Sequence, residues 1–176
     1  MIKLVYNPSG ESVNGGSRVA KVTKTNVMRI LTQHKISYDI HQYLGSDVHN
    51  SLDVATKMGI APQQMFKTLV TQAKSGEHYV FMVPVEAELD LKKAAQAVGE
   101  KSIAMIKEKE LLPLTGYVHG GCSPIGMKKQ FQTVLDASAL NFETITFSAG
   151  KRGFSVQVAP QDLEQVIPLI IKEVSH

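Results

Sequence analysis

Hydrophobic and polar residues recur along the chain with two periods, and the period at each point predicts the local element. Behind a capping Thr25, apolar residues three and four apart predict a helix with its stripe on Val27, Ile30, Leu31 and His34. Residues 36–44 then alternate strictly, which predicts a strand. Its polar face carries Asp39, His41 and Tyr43, and such a face is most simply solvent-exposed.

The same patterns predict the remaining elements. Further helices are expected at 51–58 with Ser51 as cap, at 90–99, at 107–112, and after Pro160, where Pro168 limits or kinks the last one. Strands are expected at 1–6, 65–71, 79–85, 102–106, 133–135, 144–148 and 155–159. Because helices and strands do not alternate regularly, we predict an α+β fold. It would be a single mixed domain whose curved mixed sheet, or partly closed barrel, is flanked by short helices.

The first residues differ in composition from the rest. After a possible first strand, residues 7–17 are rich in Gly, Ser, Asn and Pro, as turns and linkers are. We therefore divide the chain into an arm at 1–22, native or added, and a domain at 23–176.

Composition narrows the classes of function. With 43% hydrophobic and 20% charged residues, the chain is typical of a globular protein and not of a disordered one. The single Cys122 excludes a disulfide framework within the chain and favours a reducing, cytoplasmic setting. No apolar run is long enough for a membrane span, so no membrane partner is expected. A net charge of +3 permits a nucleic-acid partner without requiring one.

Several common catalytic motifs are missing. The segment from Gly121 to Lys128 resembles a P-loop superficially but lacks its Gly-Lys-Ser/Thr, and no G-x-S-x-G elbow occurs. His119 and Cys122 form the only near miss to a metal-ligand pair, and without a second pair we expect no metal. A Cys-His nucleophile built from these two residues would also lack an orienting third group.

Four features carry candidate chemistry, each beside a simpler structural explanation. Lys67 lies in an otherwise apolar strand, where it either guards a sheet edge or meets an anionic or carbonyl group in a cleft. Gly120 and Gly121 form either a tight turn or a backbone site for an anion. The Lys151-Arg152 tip of a predicted hairpin is either solvated or bound to phosphate. Asp162 is either a carboxylate favoured by a helix dipole or part of a site.

Taken in order, five segments resemble one family. They are residues 66–69 (FKTL), 91–95 (LKKAA), 115–126 (TGYVHGGCSPIG), 150–155 (GKRGFS) and 159–163 (APQDL). Together they resemble the YbaK family, free-standing relatives of the editing domain inserted in bacterial prolyl-tRNA synthetases. The resemblance implies a deacylase that removes cysteine wrongly attached to the tRNA for proline, with tRNA(Pro) and prolyl-tRNA synthetase as partners. It implies no cofactor and no DNA partner.

The resemblance also implies roles for individual residues. The family's essential lysine falls on Lys67, its backbone site on Gly120 with Gly121 beside it, and its pocket residues on Tyr43, Thr68, Ser155 and Asp162. The resemblance implies that the protein supplies no nucleophile, so we hypothesise that the substrate's own thiol attacks the ester, with Asp162 as a candidate for holding the α-ammonium. Lys151 and Arg152 would contact phosphates.

Three alternatives stay open from the sequence. The chain could deacylate another mischarged tRNA, such as Ala-tRNA or Ser-tRNA. It could be a non-catalytic module that binds tRNA or the synthetase, or an unrelated small-molecule binder.

Overall fold

The computed structural model describes residues 24–43 and 48–176, together with the backbone of residues 2–6. The α-helices are α1 (Asn26–Gln33), α2 (Ser51–Met58), α3 (Leu91–Val98) and α4 (Glu108–Thr115). The strands are β1 (Ile2–Tyr6), β2 (Tyr38–Gln42), β3 (Phe66–Ala73), β4 (His78–Pro84), β5 (Ile103–Met105), β6 (Gln132–Asp136), β7 (Ile145–Ser148), β8 (Phe154–Val158) and β9 (Leu169–Lys172). Two 3₁₀ helices span Ala137–Asn141 and Pro160–Gln165.

The strands form two sheets, as expected for a mixed α+β domain. A four-stranded antiparallel sheet has the order β1-β2-β8-β7. A five-stranded sheet has the order β5-β3-β4-β6-β9, in which β4, β6 and β9 run parallel. A parallel bridge from Met65 to Thr146 joins the two sheets, so the start of β3 lies against β7. No closed barrel results, and the prediction of a curved mixed sheet with short helices is confirmed.

Helix ends follow the capping residues of the sequence. Thr25 caps α1 as predicted, its hydroxyl accepting from the Met28 amide at 3.3 Å. For α2 the predicted cap was wrong by one residue, because the Asn50 side chain accepts from the Asp53 amide at 2.9 Å. Gly59 ends α2 in the left-handed conformation, with φ of 66°, where a residue without Cβ is favoured.

The predicted final helix was wrong. Pro160 begins a 3₁₀ helix that stops at Gln165, and the chain then forms β9, which pairs in parallel with β6. Pro168 cannot donate a helical hydrogen bond, and the residues after it, Leu169 to Ile171, suit a strand. Pairing with a buried neighbour therefore decided the structure of this segment.

The main core lies between α1 and the inner faces of the sheets. Val27 and Leu31 of α1 pack with Phe147 and Val156 of the four-stranded sheet, all fully buried. Strand β4 is buried on both faces, as its apolar run predicted. A second core, which includes Phe81, packs α3 against the five-stranded sheet.

A buried carboxylate ties the end of the chain to the sheet. Asp136 is 2% exposed and accepts from the amides of Val174 and Ser175 at 2.9 and 3.0 Å. It also accepts from the hydroxyl of Ser138 at 2.6 Å. Burial acts to raise the pKa of Asp136, but the hydrogen bonds from Ser138 and Val174 outweigh it, and the pKa lies below its usual value.

The predicted arm is described only in part. The backbone of β1 pairs with β2, which confirms the predicted first strand. Residues 7–22, which make up the rest of the arm, and residue 23 lie outside the described residues. The boundary at residue 22 therefore stays a prediction. Among the helices described, none is long and apolar enough to cross a membrane.

Candidate functional site

A cavity of about 620 Å³ opens beside β3, which we call the β3 cavity. Its walls come from β3, the start of α2, the residues around the start of α4, the loop at His119–Cys122 and the hairpin between β7 and β8. The predicted site residues in its lining are Tyr43, Lys67, Thr68, Gly120, Arg152 and Ser155. Three others, Gly121, Lys151 and Asp162, do not line it.

Lys67 and Thr68 lie where β3 has no described strand on its cavity side, because β5 pairs only with Thr71–Ala73. The Lys67 side chain is 19% exposed, and its Nζ lies 3.8 Å from Oε1 of the exposed Glu88. This long ion pair leaves the ammonium available to a stronger anionic partner. Thr68 Oγ1 is buried and has no hydrogen-bond partner among the described residues. A buried hydroxyl without a hydrogen bond lowers the stability of the fold unless water or a ligand pairs with it.

The glycine pair allows two loops to touch. A Cβ on Gly120, whose φ is 86°, would lie 3.0 Å from Nε of Arg152. A Cβ on Gly121 would lie 3.2 Å from the Arg152 backbone nitrogen. Gly121 is buried, and the atoms nearest to it belong to the backbone of the β7–β8 hairpin. Gly120 alone of the pair faces the cavity.

Arg152 is held in place by the neighbouring loop. Its Nε donates to the carbonyl of His119 at 2.8 Å. This contact fixes the guanidinium at the cavity and leaves its terminal amino groups for a ligand. The Lys151 ammonium instead lies over the Phe154 ring, 5.4 Å from the centroid. The predicted pair of cations is therefore divided, with one member at the cavity.

The four-stranded sheet supplies a polar wall to the same cavity. The Tyr43 amide donates to the carbonyl of Gly153 at 3.0 Å, which sets Tyr43 beside the hairpin. Ser155 of β8 pairs with Ser148 of β7, and both line the cavity. The predicted polar strand face thus reaches the site at Tyr43.

Cys122 lines the cavity as a protonated thiol. Burial raises its pKa to about 12, while a hydrogen bond with Thr115 opposes this shift. A thiol with this pKa is a poor nucleophile near neutral pH. Among the described residues, no three His, Cys, Asp or Glu side chains gather where they would hold a metal ion.

Asp162 lies away from the cavity. It is in the first turn of the second 3₁₀ helix, and its carboxylate accepts from the Gln165 side chain at 3.3 Å. This placement agrees with the simpler explanation, a carboxylate near a helix start. The structure gives it no contact with the β3 cavity.

The sequence missed one rim of the site and the burial of a residue outside it. Residues around the start of α4, Met105 to Glu108 and Leu111, form one rim, and nothing in their pattern indicated which element they would face. His41 was expected on a solvent-exposed face but is 5% exposed. The alternation pattern correctly placed His41 on the same strand face as Tyr43. It did not indicate that this face is covered at His41.

The charge of the lining is positive. Among the described residues of the lining, the cations Lys67, Lys107 and Arg152 stand against one carboxylate, Glu108. Such a surface attracts a phosphate-bearing ligand. Its volume is within the range of ordinary small-ligand sites.

Residues 45–166 match the family described as "Aminoacyl-tRNA editing domain". The chain belongs to this family. The match includes β3 and both loops at the cavity, whereas Tyr43 lies just before it.

Named relatives agree with this assignment. Over 139 residues the chain is 46% identical to a protein of Enterococcus faecalis provisionally named Cys-tRNA(Pro)/Cys-tRNA(Cys) deacylase EbsC, covering 78% of this chain and 85% of that protein. It is 27% identical over 106 residues to a proline–tRNA ligase of Pelobacter propionicus, covering 60% of this chain but 18% of the ligase. A prolyl-tRNA editing protein, ProX, of Acetoanaerobium sticklandii is 20% identical, with 85% and 87% covered.

Solved structures share the fold at low identity. One described as a trans-editing enzyme for prolyl tRNA synthetase has a TM-score of 0.73 and 21% identity, covering 88% of this chain and 99% of the other. The hypothetical protein APE2540 has a TM-score of 0.77 and 18% identity, with 85% and 99% covered. These likenesses establish the fold of the editing family for this chain.

Proposed function

We propose that the chain hydrolyses Cys-tRNA(Pro), removing cysteine that prolyl-tRNA synthetase has attached in error. The observation that carries this proposal is the β3 cavity, whose lining brings the cations Lys67 and Arg152 together with Gly120. The 46% identical relative whose name gives Cys-tRNA(Pro) supports the choice of substrate.

The need for such an enzyme follows from binding energetics. Cysteine and proline are similar in size, and a pocket discriminates such molecules by only about 1–3 kcal/mol. A separate hydrolytic site then removes the wrong product. The substrate would be the ester between cysteine and the terminal adenosine of the tRNA.

Lys67 would bind the reacting end of the tRNA. Its ammonium would exchange the distant Glu88 carboxylate for a phosphate or the ester carbonyl, which is a gain because the Glu88 pair is long and exposed. Arg152, already fixed by the His119 carbonyl, would contact a phosphate without further ordering.

The reaction would use the substrate's own thiol. The sulfur forms a bond to the ester carbonyl carbon, the ester C–O bond breaks, and the thiol proton passes to the departing 3′ oxygen of the tRNA. The cysteine is released as its cyclic thioester, and water then opens this thioester to free cysteine, which completes the hydrolysis. The Gly120 amide would stabilise the negative charge that develops on the carbonyl oxygen, a contribution of about 2.7–4 kcal/mol for a well-placed donor. Tyr43, Thr68 and Ser155 would shape the pocket. The raised pKa of Cys122 favours the substrate's thiol over the protein's.

The deciding experiment compares deacylation of Cys-tRNA(Pro), Ala-tRNA(Pro), Ser-tRNA(Pro) and Cys-tRNA(Cys) under one set of conditions. We expect turnover of both cysteinyl substrates, because attack by the thiol does not depend on the tRNA body. We expect no turnover of Ala-tRNA(Pro) or Ser-tRNA(Pro). Cleavage of Ser-tRNA(Pro) at a similar rate would contradict the thiol route. Binding of all four without turnover would instead favour a non-catalytic module.

Partnership with prolyl-tRNA synthetase would supply selectivity for tRNA(Pro). A chain of this size with a net charge of +3 has little surface for reading a tRNA body. Adding the synthetase should therefore increase the ratio of Cys-tRNA(Pro) to Cys-tRNA(Cys) turnover. An unchanged ratio would contradict the partnership.

A further inference from the structure

The loop that carries Gly120 is a tight turn. The Gly121 amide donates to the Val118 carbonyl at 3.0 Å, which closes a β-turn with His119 and Gly120 as its two central residues. Gly120 has a φ of 86°, and among the described non-glycine residues only Lys35 has a positive φ, so that of His119 is negative. A negative φ followed by a positive one is characteristic of a type II turn.

The peptide between His119 and Gly120 is the part of this turn that can take two orientations. Type I and type II turns differ mainly in a rotation of this central peptide by about half a revolution. Glycine after the central peptide permits both orientations, because it adopts φ of either sign. The peptide is trans, so its N–H and C=O point in opposite directions, and a flip exchanges the two groups.

The two groups of this peptide have opposite effects on a negative charge. In the observed orientation, the Gly120 amide has no acceptor among the described residues and is available to the carbonyl oxygen of the substrate. After a flip, the His119 carbonyl oxygen would lie on that side and repel the developing charge. The Gly121 amide cannot replace the lost donor, because it is already used within the turn.

Arg152 holds the peptide in the observed orientation. Residues 118–120 are exposed, so burial does not fix the central peptide. The Arg152 Nε donates to the His119 carbonyl at 2.8 Å, and a flip would break this bond by moving the oxygen to the other face of the turn. Because the donor is charged, the bond is stronger than one between neutral groups.

The β7–β8 hairpin keeps Arg152 within reach of the turn. A Cβ on Gly121 would lie 3.2 Å from the Arg152 backbone nitrogen, so the backbones of the two loops are in contact. The Phe154 amide donates to the Lys151 carbonyl at 3.1 Å, which closes the hairpin around Arg152. The guanidinium therefore acts from a restrained backbone.

We infer that Arg152 is a positioning residue, which holds the His119–Gly120 peptide so that the Gly120 amide is presented to the substrate. The inference rests on the function proposed above, which assigns this amide to the developing negative charge. The bond at the carbonyl also polarises the peptide and makes its N–H a stronger donor. Arg152 thus has two roles on different atoms, since Nε acts on the turn and the terminal amino groups act on a phosphate.

Two substitutions separate these roles. In Arg152→Gln, the side-chain nitrogen stands at the same position along the side chain as Nε, so it can donate to the His119 carbonyl without offering a guanidinium to a phosphate. Arg152→Met has a similar length and no donor. Single-turnover hydrolysis of Cys-tRNA(Pro) over a range of enzyme concentrations gives the rate constant at saturation and the concentration for half-saturation.

The two variants should differ in rate and not in affinity. Both should need more enzyme for half-saturation, because both lack the phosphate contact. At saturation Arg152→Met should be at least about tenfold slower than the wild type, a loss of about 1.4 kcal/mol and thus of the size of one hydrogen bond. Arg152→Gln should recover the rate to within about threefold of the wild type. Lys129→Met removes an exposed cation that does not line the cavity, and this matched control should change neither quantity.

The NMR signal of the Gly120 amide gives a readout that is independent of activity. The nitrogen chemical shift of an amide responds to a hydrogen bond at the carbonyl of the same peptide. The signal should therefore move in Arg152→Met and stay near its wild-type position in Arg152→Gln.

The outcomes distinguish this inference from the proposed function. An unchanged Gly120 signal in Arg152→Met overturns the inference, and so do equal saturated rates in the two variants. Absence of turnover in the wild type contradicts the proposed function, and the Gly120 signal then decides whether Arg152 positions the peptide.

Discussion

The β3 cavity and the surroundings of Asp136 differ in how completely their buried polar groups are hydrogen-bonded. At Asp136, the carboxylate is matched by hydrogen bonds from Ser138, Val174 and Ser175. At the cavity, Thr68 Oγ1 lacks a described partner and Lys67 has only a distant carboxylate. Completed hydrogen bonding stabilises the fold and leaves nothing for a ligand. Incomplete hydrogen bonding costs stability and leaves a site that a substrate can complete.

The largest effect should come from Lys67→Ala. If the cavity is catalytic, single-turnover hydrolysis of Cys-tRNA(Pro) should fall at least about a hundredfold, as when one transition-state contact is removed. The melting temperature should stay close to that of the wild type, because the ion pair that Lys67 makes among the described residues is the long one with Glu88, at 3.8 Å.

Lys67→Arg should fail as well, since a planar guanidinium does not replace a compact ammonium in a tight site. Glu88→Ala is the matched control, because it removes the same ion pair without removing the ammonium; it should retain activity. Full activity in Lys67→Ala would contradict the assignment of the site.

Asp136→Asn should give the converse result, with reduced stability and near-normal turnover well below the melting temperature. One carboxylate oxygen accepts from the Val174 and Ser175 amides and the other from the Ser138 amide, so replacing either oxygen by NH2 leaves at least one backbone amide without its acceptor. We expect a loss of about 2–4 kcal/mol in the free energy of unfolding. Urea unfolding at pH 7 measures it, and an unchanged midpoint would show that the carboxylate adds nothing to the fold.

The same residue makes stability depend on pH. The pKa of Asp136 is lower in the folded than in the unfolded chain, so its contribution is present above the unfolded value, about 3.9. It should be lost as pH falls from that value through the folded pKa. In Asp136→Asn the stability curve should be flatter over this acid range, and an identical slope in both proteins would contradict the linkage.

Arg152→Ala should affect tRNA binding more than Lys151→Ala does. Arg152 lines the cavity, and removal of one phosphate contact lowers the slope of log K against log[salt] by about one. Lys151 lies over Phe154 and serves as the matched control. Equal slopes of log K against log[salt] in both variants would contradict a phosphate contact by Arg152.

Cys122→Ala should have the smallest effect. The pKa of about 12 keeps this thiol protonated near neutral pH, so deacylation should change less than about twofold. In the wild type, the rate of alkylation of Cys122 should still increase with pH above 9, where a thiol of ordinary pKa is already mostly thiolate. A loss of several orders of magnitude in activity, with the fold intact, would indicate that Cys122 is the nucleophile and contradict attack by the substrate's thiol.

The sequence predicted most elements because their signals are local. Thr25 and Gly59 set helix ends through their own backbone and side-chain hydrogen bonds, and β4 was evident from its apolar run. The last strand was missed because β9 depends on pairing with β6, more than thirty residues away. A local pattern contains no record of such a partner.

Prediction of the site was uneven for the same reason. Lys67 was noticeable as a cation within an apolar strand, and the family resemblance added Tyr43, Thr68 and Ser155. Asp162 was assigned to the pocket by its position in a motif, and it is not among the residues that line the β3 cavity. The burial of His41, which is 5% exposed, depends on tertiary packing, which no alternation pattern reveals.

The contact between Gly121 and the hairpin backbone limits how this chain can be diversified. A Cβ at Gly121 would meet the Arg152 nitrogen at 3.2 Å, and a backbone atom cannot rotate away as a side chain does. A mutant library that varies the two loops independently would therefore contain many members that displace Arg152 without altering it. Residues 119–122 and 150–153 are better varied together, as one combinatorial unit, with position 121 kept as glycine.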